Sequence, residues 1–315
     1  MDALSLCFGK RPPRPSCLSV WGRWPPDATA TPMPSVPHPI PYQGSKRRLA
    51  PRILKHVPAR VDRLIEPFAG SAALSLAAAS HQRAASFLLG DSLPDLAALW
   101  QAILDHPEHL ADDYARLWHA QHDDPHAFYD DVRATWNRQG GPARLLFLLA
   151  RCVKNAVRFN ADGAFNQSPD HRRRGTRPER MRQHLLGAHA LLHGRTRAVA
   201  ADYAELLAEA RTTDLVYLDP PWEGTSTHRD PRYHQGLDRP RFLRDIESLL
   251  DRGVPFLISL DGRLGSRTYG QPLPDSLGLT RLELPAGRSS QATLHGSTAR
   301  TIESLYLSPS LARHH

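Results

Sequence analysis

Short apolar runs alternate with helix-forming segments over most of the chain, and this alternation restricts the possible folds more than any other feature. Residues 63–68 predict a buried strand, which a turn around Gly70 joins to a helix over residues 72–79. A second strand is predicted at residues 86–91 and a second helix at residues 94–104. Parallel strands need a crossover connection, which is usually a helix. The alternation therefore predicts an open, mostly parallel α/β sheet.

The same alternation returns in the second half of the chain. Residues 239–251 predict a helix, and two late runs at residues 279–284 and 303–308 predict a closing hairpin. The remaining strand-like runs cover residues 197–203, 214–222 and 254–260. We expect these elements to complete the sheet that the first half begins.

Residues 105–196 interrupt the alternation and predict an inserted, mainly helical domain. Helical periodicity covers residues 110–119 and 142–157, and a polar, arginine-rich stretch follows. We therefore expect one domain formed by residues 39–104 together with 197–315. The second domain would consist of residues 105–196.

The first residues of the chain differ in composition from the rest. Ten of the 28 prolines fall within residues 1–41, where neither helical nor strand periodicity is present. Proline lacks a backbone N–H and fixes φ, so such a segment cannot maintain regular hydrogen bonding. We expect residues 1–38 to be an extended or disordered tail, with Met33 as a candidate translation start. Ser45 is expected to cap a helix over residues 49–57.

Hydropathy and cysteine patterns exclude several classes of protein. No stretch approaches the roughly 20 consecutive apolar residues of a membrane helix, and no cationic start precedes an apolar secretion segment. Cys7, Cys17 and Cys152 show neither metal-ligand nor redox spacing. We expect a soluble, cytoplasmic protein with no metal site and no disulfide framework.

The chain carries a net charge of +8, and much of it is concentrated in the inserted segment. Between Arg151 and Arg182, nine basic residues stand against three acidic ones. Clustered positive charge suits a polyanion such as nucleic acid, whereas scattered arginines imply only a solvated surface. We expect the run Arg172, Arg173 and Arg174 to contact phosphates.

The segment AspLeuValTyrLeuAspProProTrp at residues 214–222 gives the strongest indication of chemistry. Its strand brings Asp219 to the edge where open α/β sheets bind ligands, and Pro220 and Pro221 end the strand before Trp222. The exocyclic amino group of a nucleobase attacks poorly until hydrogen-bond acceptors draw on its protons. The Asp219 carboxylate and the Pro220 carbonyl are two such acceptors. The alternative is a rigid turn with Trp222 in the core.

Three other residues lie where predicted strands end. Gly70 occupies a strand-to-helix turn, which lets a ligand approach the backbone, although a tight turn alone would also explain it. Asp91 is placed like the acid that holds a ribose diol in nucleotide-binding sheets, but a helix N-cap fits equally well. The same two interpretations apply to Asp202.

Four segments together resemble the Dam-like, D12 class of DNA adenine-N6 methyltransferases. They are similar to the family's N-terminal cofactor motif, its methionine-binding turn, its Arg-x-Asn-x-x-Gly-x-Phe-Asn segment and its catalytic motif. In that order they are ProTyrGlnGlySerLys (41–46), GluProPheAlaGly (66–70), ArgPheAsnAlaAspGlyAlaPheAsn (158–166) and AspProProTrp (219–222). The resemblance implies a Rossmann-like methyltransferase sheet dependent on S-adenosylmethionine, with residues 105–196 as an inserted DNA-recognition domain.

The resemblance also implies a role for each matching residue. S-adenosylmethionine would be held by Tyr42, Lys46, Phe68, Gly70, Asp91, Asp202 and Asp219. The catalytic motif would consist of Asp219, Pro220, Pro221 and Trp222, with the indole stacked on a base rotated out of the duplex. The DNA-binding region would include Arg158, Asn160, Asn166, Arg172, Arg173 and Arg174. Two positions depart from the family pattern, since Trp222 replaces a common tyrosine and Ala72 a common glycine.

The implied activity is transfer of a methyl group from S-adenosylmethionine to N6 of a flipped adenine in double-stranded DNA at a specific site. Two alternatives are methylation of cytosine N4, for which the same acceptors serve, and a DNA-binding relative without catalysis. The sequence has no ProCys pair for cytosine C5 chemistry and no Gly-x-Gly-x-x-Gly after the first strand for a dehydrogenase. We expect a bacterial or phage-encoded monomer that associates with the nucleoid, with a cognate restriction endonuclease as a candidate partner.

Overall fold

The computed structural model describes residues 35–221, 237–264, 267–288 and 300–312. The described chain from Val36 onward belongs to one compact unit. Most of the expected N-terminal tail, with Met33, lies outside the described residues, as does Trp222. What the sequence predicts for these residues stays a prediction.

The described strands form one sheet that is parallel over most of its width. They are β1 Val61–Glu66, β2 Ala84–Asp91, β3 Thr196–Ala200, β4 Asp214–Leu218, β5 Phe256–Leu264, β6 Arg267–Tyr269, β7 Thr280–Arg288 and β8 Arg300–Leu307. Their order is β3-β2-β1-β4-β5-β8-β7, with β6 paired to β5. The strands from β3 to β5 are parallel, whereas β8 pairs antiparallel with both β5 and β7. The predicted α/β sheet is confirmed, and its two late strands pair as expected.

The helices follow the predicted alternation and flank the sheet. They are α1 Ala50–Ile53, α2 Ala73–Ser80, α3 Pro94–Asp105, α4 Pro107–Ala120, α5 Pro125–Gln139, α6 Pro142–Arg151, α7 Pro178–Leu192, α8 Tyr203–Ala208, α9 Arg239–Asp251 and α10 Pro309–Ala312. Several begin with proline, whose missing N–H is not needed in a first turn. None of the described helices combines the length and apolar character that crossing a bilayer requires.

The central strand β4 separates two hydrophobic cores. Leu215 and Tyr217 face the core that contains most of the helices before β3, whereas Val216 and Leu218 face the core that includes Phe242 of α9. All five residues of β4 are buried. Burial on both faces is typical of a central strand in a parallel sheet and explains why this strand has an almost continuous apolar sequence.

The strand order reverses between β1 and β4, and this reversal positions the candidate site. The chain continues from β1 to β2 on one side, while β4 pairs with β1 on the other. The register places Ile65 beside Val216 and Leu218 beside Ile258, so β1, β4 and β5 present their carboxyl ends at one edge. Ligand crevices of open α/β sheets form at such reversals.

The segment between β2 and β3 is helical as expected, but its details differ from the prediction. Helix α4 includes the predicted residues 110–119. Helix α6 ends at Arg151 instead of continuing to residue 157, because Cys152 is extended with φ −73° and ψ 159°. Lys154 and Asn155 then adopt positive φ angles of 61° and 53°. The expected helix over residues 142–157 is therefore wrong at its carboxyl end.

Two helices of this segment, α5 and α7, were not predicted from the sequence. Each has an apolar stripe at helical spacing, but charged and histidine residues between its members dilute the pattern. The buried stripe of α7 consists of Met181, Leu185, Ala188 and Leu192. The later part of the polar stretch is thus a helix with one narrow apolar face.

The helix expected after Ser45 is interrupted. The chain forms a 3-10 turn at Lys46–Arg48, the four-residue α1 and a second 3-10 turn at Leu54–His56. Ser45 makes no side-chain capping bond, and its hydroxyl accepts a hydrogen bond from Ser71 at 2.7 Å instead. The capping prediction is wrong, because Ser45 joins this segment to the turn after β1.

Candidate active site

A cavity of about 560 Å³ opens beyond the carboxyl ends of β1, β2 and β4. The segment after β4 contributes Pro220 and Pro221 to its wall. All seven residues expected to hold the cofactor also line it, namely Tyr42, Lys46, Phe68, Gly70, Asp91, Asp202 and Asp219. The fold thus brings separate stretches of sequence around one space, which is where a ligand would meet them together.

Asp219 and Lys46 form an ion pair in the wall of this cavity. Lys46 Nζ lies 2.8 Å from Asp219 Oδ1, and the lysine side chain is only 7% exposed. The same ammonium donates a hydrogen bond to the Gly44 carbonyl oxygen at 3.3 Å. Burial raises the pKa of Asp219 to about 6, while the charge of Lys46 lowers it. Asp219 is therefore an acceptor that a neighbouring cation keeps ionised at neutral pH.

Glu66, the last residue of β1, places a second buried carboxyl group in the wall. It is 3% exposed and accepts a hydrogen bond from the Ser75 N–H of α2 at 2.5 Å. Burial raises the pKa of Glu66 to about 7; the Ser75 hydrogen bonds oppose that shift and the nearby Asp219 charge adds to it. A cationic ligand in this cavity would favour the ionised form of both groups.

Acidic side chains outnumber basic ones around the cavity, although the whole chain is basic. The acidic lining residues are Glu66, Asp91, Asp202, Asp219, Asp238 and Glu303, and the basic ones are Lys46 and Arg241. Among the described residues, no group of three or more His, Cys, Asp or Glu side chains is arranged to hold a metal ion. The excess of carboxylates in the lining favours a positively charged ligand.

The turn after β1 brings backbone close to the cavity. Gly70 has a φ of +48°, and a Cβ at this position would lie 3.4 Å from the ring of Tyr42. The Asp91 carboxylate accepts hydrogen bonds from the N–H groups of Gly70 at 3.2 Å and Leu93 at 3.0 Å. Trp100 Nε1 donates to the Gly70 carbonyl at 2.9 Å. Asp91 thus ties the turns after β1 and β2 together at the cavity wall.

Ala72 adopts a backbone conformation that glycine adopts more easily. It precedes α2 with φ 45° and ψ 42°, in the left-handed region, and its side chain is fully buried. An L-residue pays about 1–2 kcal/mol for this conformation. The departure from the family's common glycine therefore introduces local strain beside the cavity.

Asp202 joins a helix cap to an aromatic wall. Its carboxylate accepts the Ala204 N–H at 2.9 Å, which caps α8, and binds Arg241 through two hydrogen bonds of 2.7 and 3.0 Å. The guanidinium of Arg241 lies over the Tyr203 ring, whose centroid is 5.2 Å away. Tyr203 stacks on Phe68 at a centroid distance of 5.1 Å. Asp202 is therefore the N-cap of α8, and it also lines the cavity.

The segment 158–166 forms a small loop closed by its own backbone. Phe159 and Phe165 pair as an antiparallel bridge, and the buried Phe165 ring packs on Trp136. The Asn160 side-chain oxygen accepts hydrogen bonds from the N–H groups of Asp162 at 3.1 Å and Ala164 at 2.8 Å. Asn160 therefore shapes the loop from within. Of the other two predicted DNA-binding residues here, Asn166 is exposed and Arg158 is partly buried.

Two arginines of the run Arg172–Arg174 form ion pairs with one buried carboxylate, that of Asp170. Asp170 is buried, and its oxygens bind Arg172 Nε at 3.2 Å and Arg173 Nε at 2.9 Å. Hydrogen bonding from Arg172 is the main reason that the pKa of Asp170 falls to about 2. Arg172, Arg173 and Arg174 are all exposed. The run thus presents positive charge to solvent from a fixed loop.

Arg151 belongs to the interior and not to this basic surface. It is 3% exposed, and its guanidinium donates to the carbonyl oxygens of Asp170 and Arg173 and, at 3.3 Å, to that of Pro125. Arg151, the first of the nine basic residues in this stretch of sequence, is therefore not exposed to a polyanion. From the interior, its guanidinium fixes the loop that carries Arg172 and Arg173.

Several cavity residues were missed in the sequence. Glu66, Tyr203 and Glu303 line the cavity, as does Arg241 of α9. Glu66 and Tyr203 stand beside recognised residues, so their positions at strand and helix ends could have indicated them. Arg241 and Glu303 had no such neighbour, because only tertiary folding brings α9 and β8 to the site.

Comparison with known proteins identifies the family. Residues 42–271 match the model of the D12 class N6 adenine-specific DNA methyltransferases. The chain is 28% identical over 231 residues to the retron Ec67 DNA adenine methylase of Escherichia coli, which covers 70% of this chain and 75% of that protein.

Several solved structures also match this chain by fold, and one of them serves as the example. It is described as a methyltransferase, yhhF from Escherichia coli, with 15% sequence identity and a TM-score of 0.33, and the match covers 85% of this chain and 89% of that one. The family resemblance of the four sequence motifs is confirmed by the match to the family model. Because that match spans well over half of its length, the chain belongs to the D12 class of N6 adenine-specific DNA methyltransferases and methylates adenine in DNA.

Proposed function

We propose that the cavity binds S-adenosylmethionine together with a target adenine rotated out of double-stranded DNA, and that Asp219 is the acceptor for the target amino group. The observation that carries this proposal is the position of Asp219, ion-paired to Lys46 in a cavity whose wall includes these two and the other five expected cofactor residues. A paired adenine could not reach such a recessed site, so the base must leave the duplex.

Size, charge and backbone geometry of the cavity fit S-adenosylmethionine. Its volume of about 560 Å³ falls within the usual range for small-molecule sites. Its excess of carboxylates suits a sulfonium cation, and Gly70 leaves room beside Tyr42 for a close approach to backbone. When bound, S-adenosylmethionine supplies a methyl group activated by positively charged sulfur. Phe68 and Gly70 would line its methionine part, and Asp91 would hold its ribose hydroxyls.

The adenine part of the cofactor would lie near Asp202, but with different partners from those the sequence suggested. Both Asp202 oxygens already accept hydrogen bonds from Arg241. We therefore assign Asp202 to holding Arg241, and we add the stacked rings of Phe68 and Tyr203 as the surface for a flat base. Contact with the cofactor at this end would be largely aromatic.

Catalysis in this proposal depends on hydrogen-bond acceptors fixed before the substrate arrives. The lone pair of the adenine amino group is delocalised into the ring, and acceptors at its two protons make it available for attack on the methyl carbon. Asp219 and the Pro220 carbonyl would be these acceptors, and the fixed strand end means that they need not reorganise. Trp222 would stack on the rotated base, as its place after the two prolines suggests.

Binding of duplex DNA would depend on the exposed cations of residues 105–196, which we propose as the DNA-recognition domain. Arg172, Arg173 and Arg174 would contact phosphates, which provides affinity without sequence information. Arg158 and Asn166 would reach DNA, whereas Asn160 would preserve the loop that presents them. We also propose that the protein acts as a monomer in the nucleoid-containing cytoplasm. A restriction endonuclease is a candidate partner.

Replacing Asp219 by Asn tests the proposed site. The variant keeps the shape of the side chain but loses its charge, so methyl transfer should fall on the order of 10²–10³-fold, while DNA binding persists. The assay uses isotopically labelled S-adenosylmethionine and unmethylated duplex DNA, followed by nucleoside analysis for N6-methyladenine and N4-methylcytosine. Asp62→Asn, an exposed change at the opposite end of β1, is the matched control.

Near-normal turnover of Asp219→Asn would refute the assignment of the acceptor. Calorimetry adds an independent measurement of the cofactor site. If the wild-type protein retained DNA but bound no S-adenosylmethionine, the DNA-binding relative without catalysis would be favoured instead. Detection of N4-methylcytosine alone would overturn the proposed target.

A further inference from the structure

Glu303 is one of the acidic residues in the wall of the cavity, and its carboxylate lies close to the ion pair between Lys46 and Asp219. It lies on β8, beyond residue 271 where the family match ends, and its side chain is 16% exposed. The sequence around it, ThrIleGluSerLeuTyr, is that of an ordinary strand. Only the antiparallel pairing of β8 with β5 brings this residue to the site.

Glu303 and Asp219 share one ammonium group. Lys46 Nζ lies 2.8 Å from Asp219 Oδ1 and 3.4 Å from Glu303 Oε2. The Gly44 carbonyl oxygen is a further acceptor at 3.3 Å. The Asp219 carboxylate and the Gly44 carbonyl accept hydrogen bonds from this ammonium, whereas Glu303 Oε2 accepts none among the described residues and attracts it as an ion-pair partner. The cation is therefore held between the two carboxylates.

Sharing the cation changes the strength of Asp219 as an acceptor. If Lys46 were paired with Asp219 alone, its positive charge would make the Asp219 oxygen a weaker acceptor. The hydrogen bond from the target amino group to that oxygen would then be weaker. The charge of Glu303 acts against this, because it raises the pKa of Asp219 whereas Lys46 lowers it. The second carboxylate thus offsets part of the effect of the cation.

We propose that Glu303 is a positioning residue for methyl transfer, which acts through Lys46. By sharing the ammonium, it keeps Asp219 a strong acceptor, and the two carboxylates together exceed the charge of Lys46 by one negative charge. The inference rests on the proposed role of Asp219. Glu303 itself forms no covalent bond and transfers no proton in this role.

Glu303→Gln tests the inference, because it removes the charge and keeps the shape. The methyl-transfer rate is measured in single turnovers across pH 5 to 9, so that product release does not mask it. We expect the acid limb of the profile to move to lower pH by about one unit, the size expected for loss of a like charge a few ångströms away. The plateau rate should fall about tenfold, because a weaker base is a poorer acceptor.

Two further variants separate this role from a structural one. Glu283→Gln on β7 is the matched control, since its side chain is 51% exposed and pairs with Arg263 on the adjacent sheet surface. It should retain the wild-type profile. Glu303→Asp withdraws the carboxylate from Lys46 and should shift the acid limb in the same direction by a smaller amount. This variant also provides the test if Glu303→Gln does not fold.

An acid limb that stays in place or moves to higher pH in a folded Glu303 variant would overturn the inference. A loss of rate without a change in the pH profile would also overturn it, because it would indicate a structural role. Failure of the proposed function looks different, since then Asp219→Asn would remain active or the wild-type protein would transfer no methyl group. If those tests succeed and the Glu303 variants behave as wild type, only this inference fails.

Discussion

The buried guanidinium of Arg151 allows DNA binding to be disrupted without changing a surface charge. Its side chain lies beneath the arginine run and donates to three backbone carbonyl groups, those of Asp170, Arg173 and Pro125. Replacing Arg151 by Met preserves much of the volume and removes every one of these donors. The carbonyl groups would then be buried without their present partner.

The expected loss of stability follows from these contacts. A hydrogen bond from a charged donor contributes roughly 1.5–3 kcal/mol, while removal of the guanidinium also ends the cost of burying its charge. Burial already lowers the pKa of Arg151, which is the sign of that cost. We therefore expect Arg151→Met to reduce the free energy of unfolding by about 3 kcal/mol. The loop that carries Arg172 and Arg173 should lose its fixed position.

Urea unfolding, DNA titration and calorimetry with S-adenosylmethionine measure the three consequences. Stability and DNA affinity should both fall, whereas cofactor affinity should stay within about twofold, because Arg151 does not line the cavity. Arg138→Met, an exposed change on α5, is the control for loss of one positive charge. Unchanged DNA affinity in a clearly destabilised Arg151→Met protein would refute the reasoning, since the loop would then not need its buried anchor.

Glu66→Gln should raise the free energy of unfolding by about 3 kcal/mol at pH 8 and leave it unchanged at pH 4. The pKa of Glu66 is about 7 in the folded protein, whereas the usual value is 4.5. Ionisation of Glu66 therefore opposes folding increasingly as pH rises from 4.5 to 7. Equal gains at both pH values would contradict this. Arg174→Ala should reduce the slope of log K against log salt by about 0.9, with no carboxylate released, since Asp170 pairs with Arg172 and Arg173. An unchanged slope would remove Arg174 from the interface.

The elements that the sequence predicted well are those whose pattern is dictated locally. β4 is apolar along its length because the sheet covers it on both faces, and α9 has the predicted bounds because a strong apolar stripe repeats at helical spacing. α7 was missed because arginines and histidines interrupt its stripe. The early end of α6 depends on the extended backbone of Cys152 and the left-handed Lys154 and Asn155 that follow, which no composition rule identifies.

Reasoning from strand ends located only part of the candidate site, and the family resemblance indicated Tyr42 and Lys46, which precede β1. Asp91 and Asp219 could be located because parallel strands end at a common edge. The resemblance placed the ammonium of Lys46 near acidic groups of the site, but it did not indicate which carboxylate pairs with it, since Lys46 and Asp219 are far apart in the chain. Glu303 required the register of β8 against β5, which depends on long-range packing. A motif therefore indicated the acceptor but not the charges that tune it.

The distribution of the ion pair along the chain has a consequence for biosynthesis. Lys46 is made early, Asp219 much later and Glu303 later still. A nascent chain released from the ribosome before residue 300 would lack β8 and with it one of the two anions around Lys46. The centre in which two carboxylates share one ammonium thus exists only in translation products that include this strand.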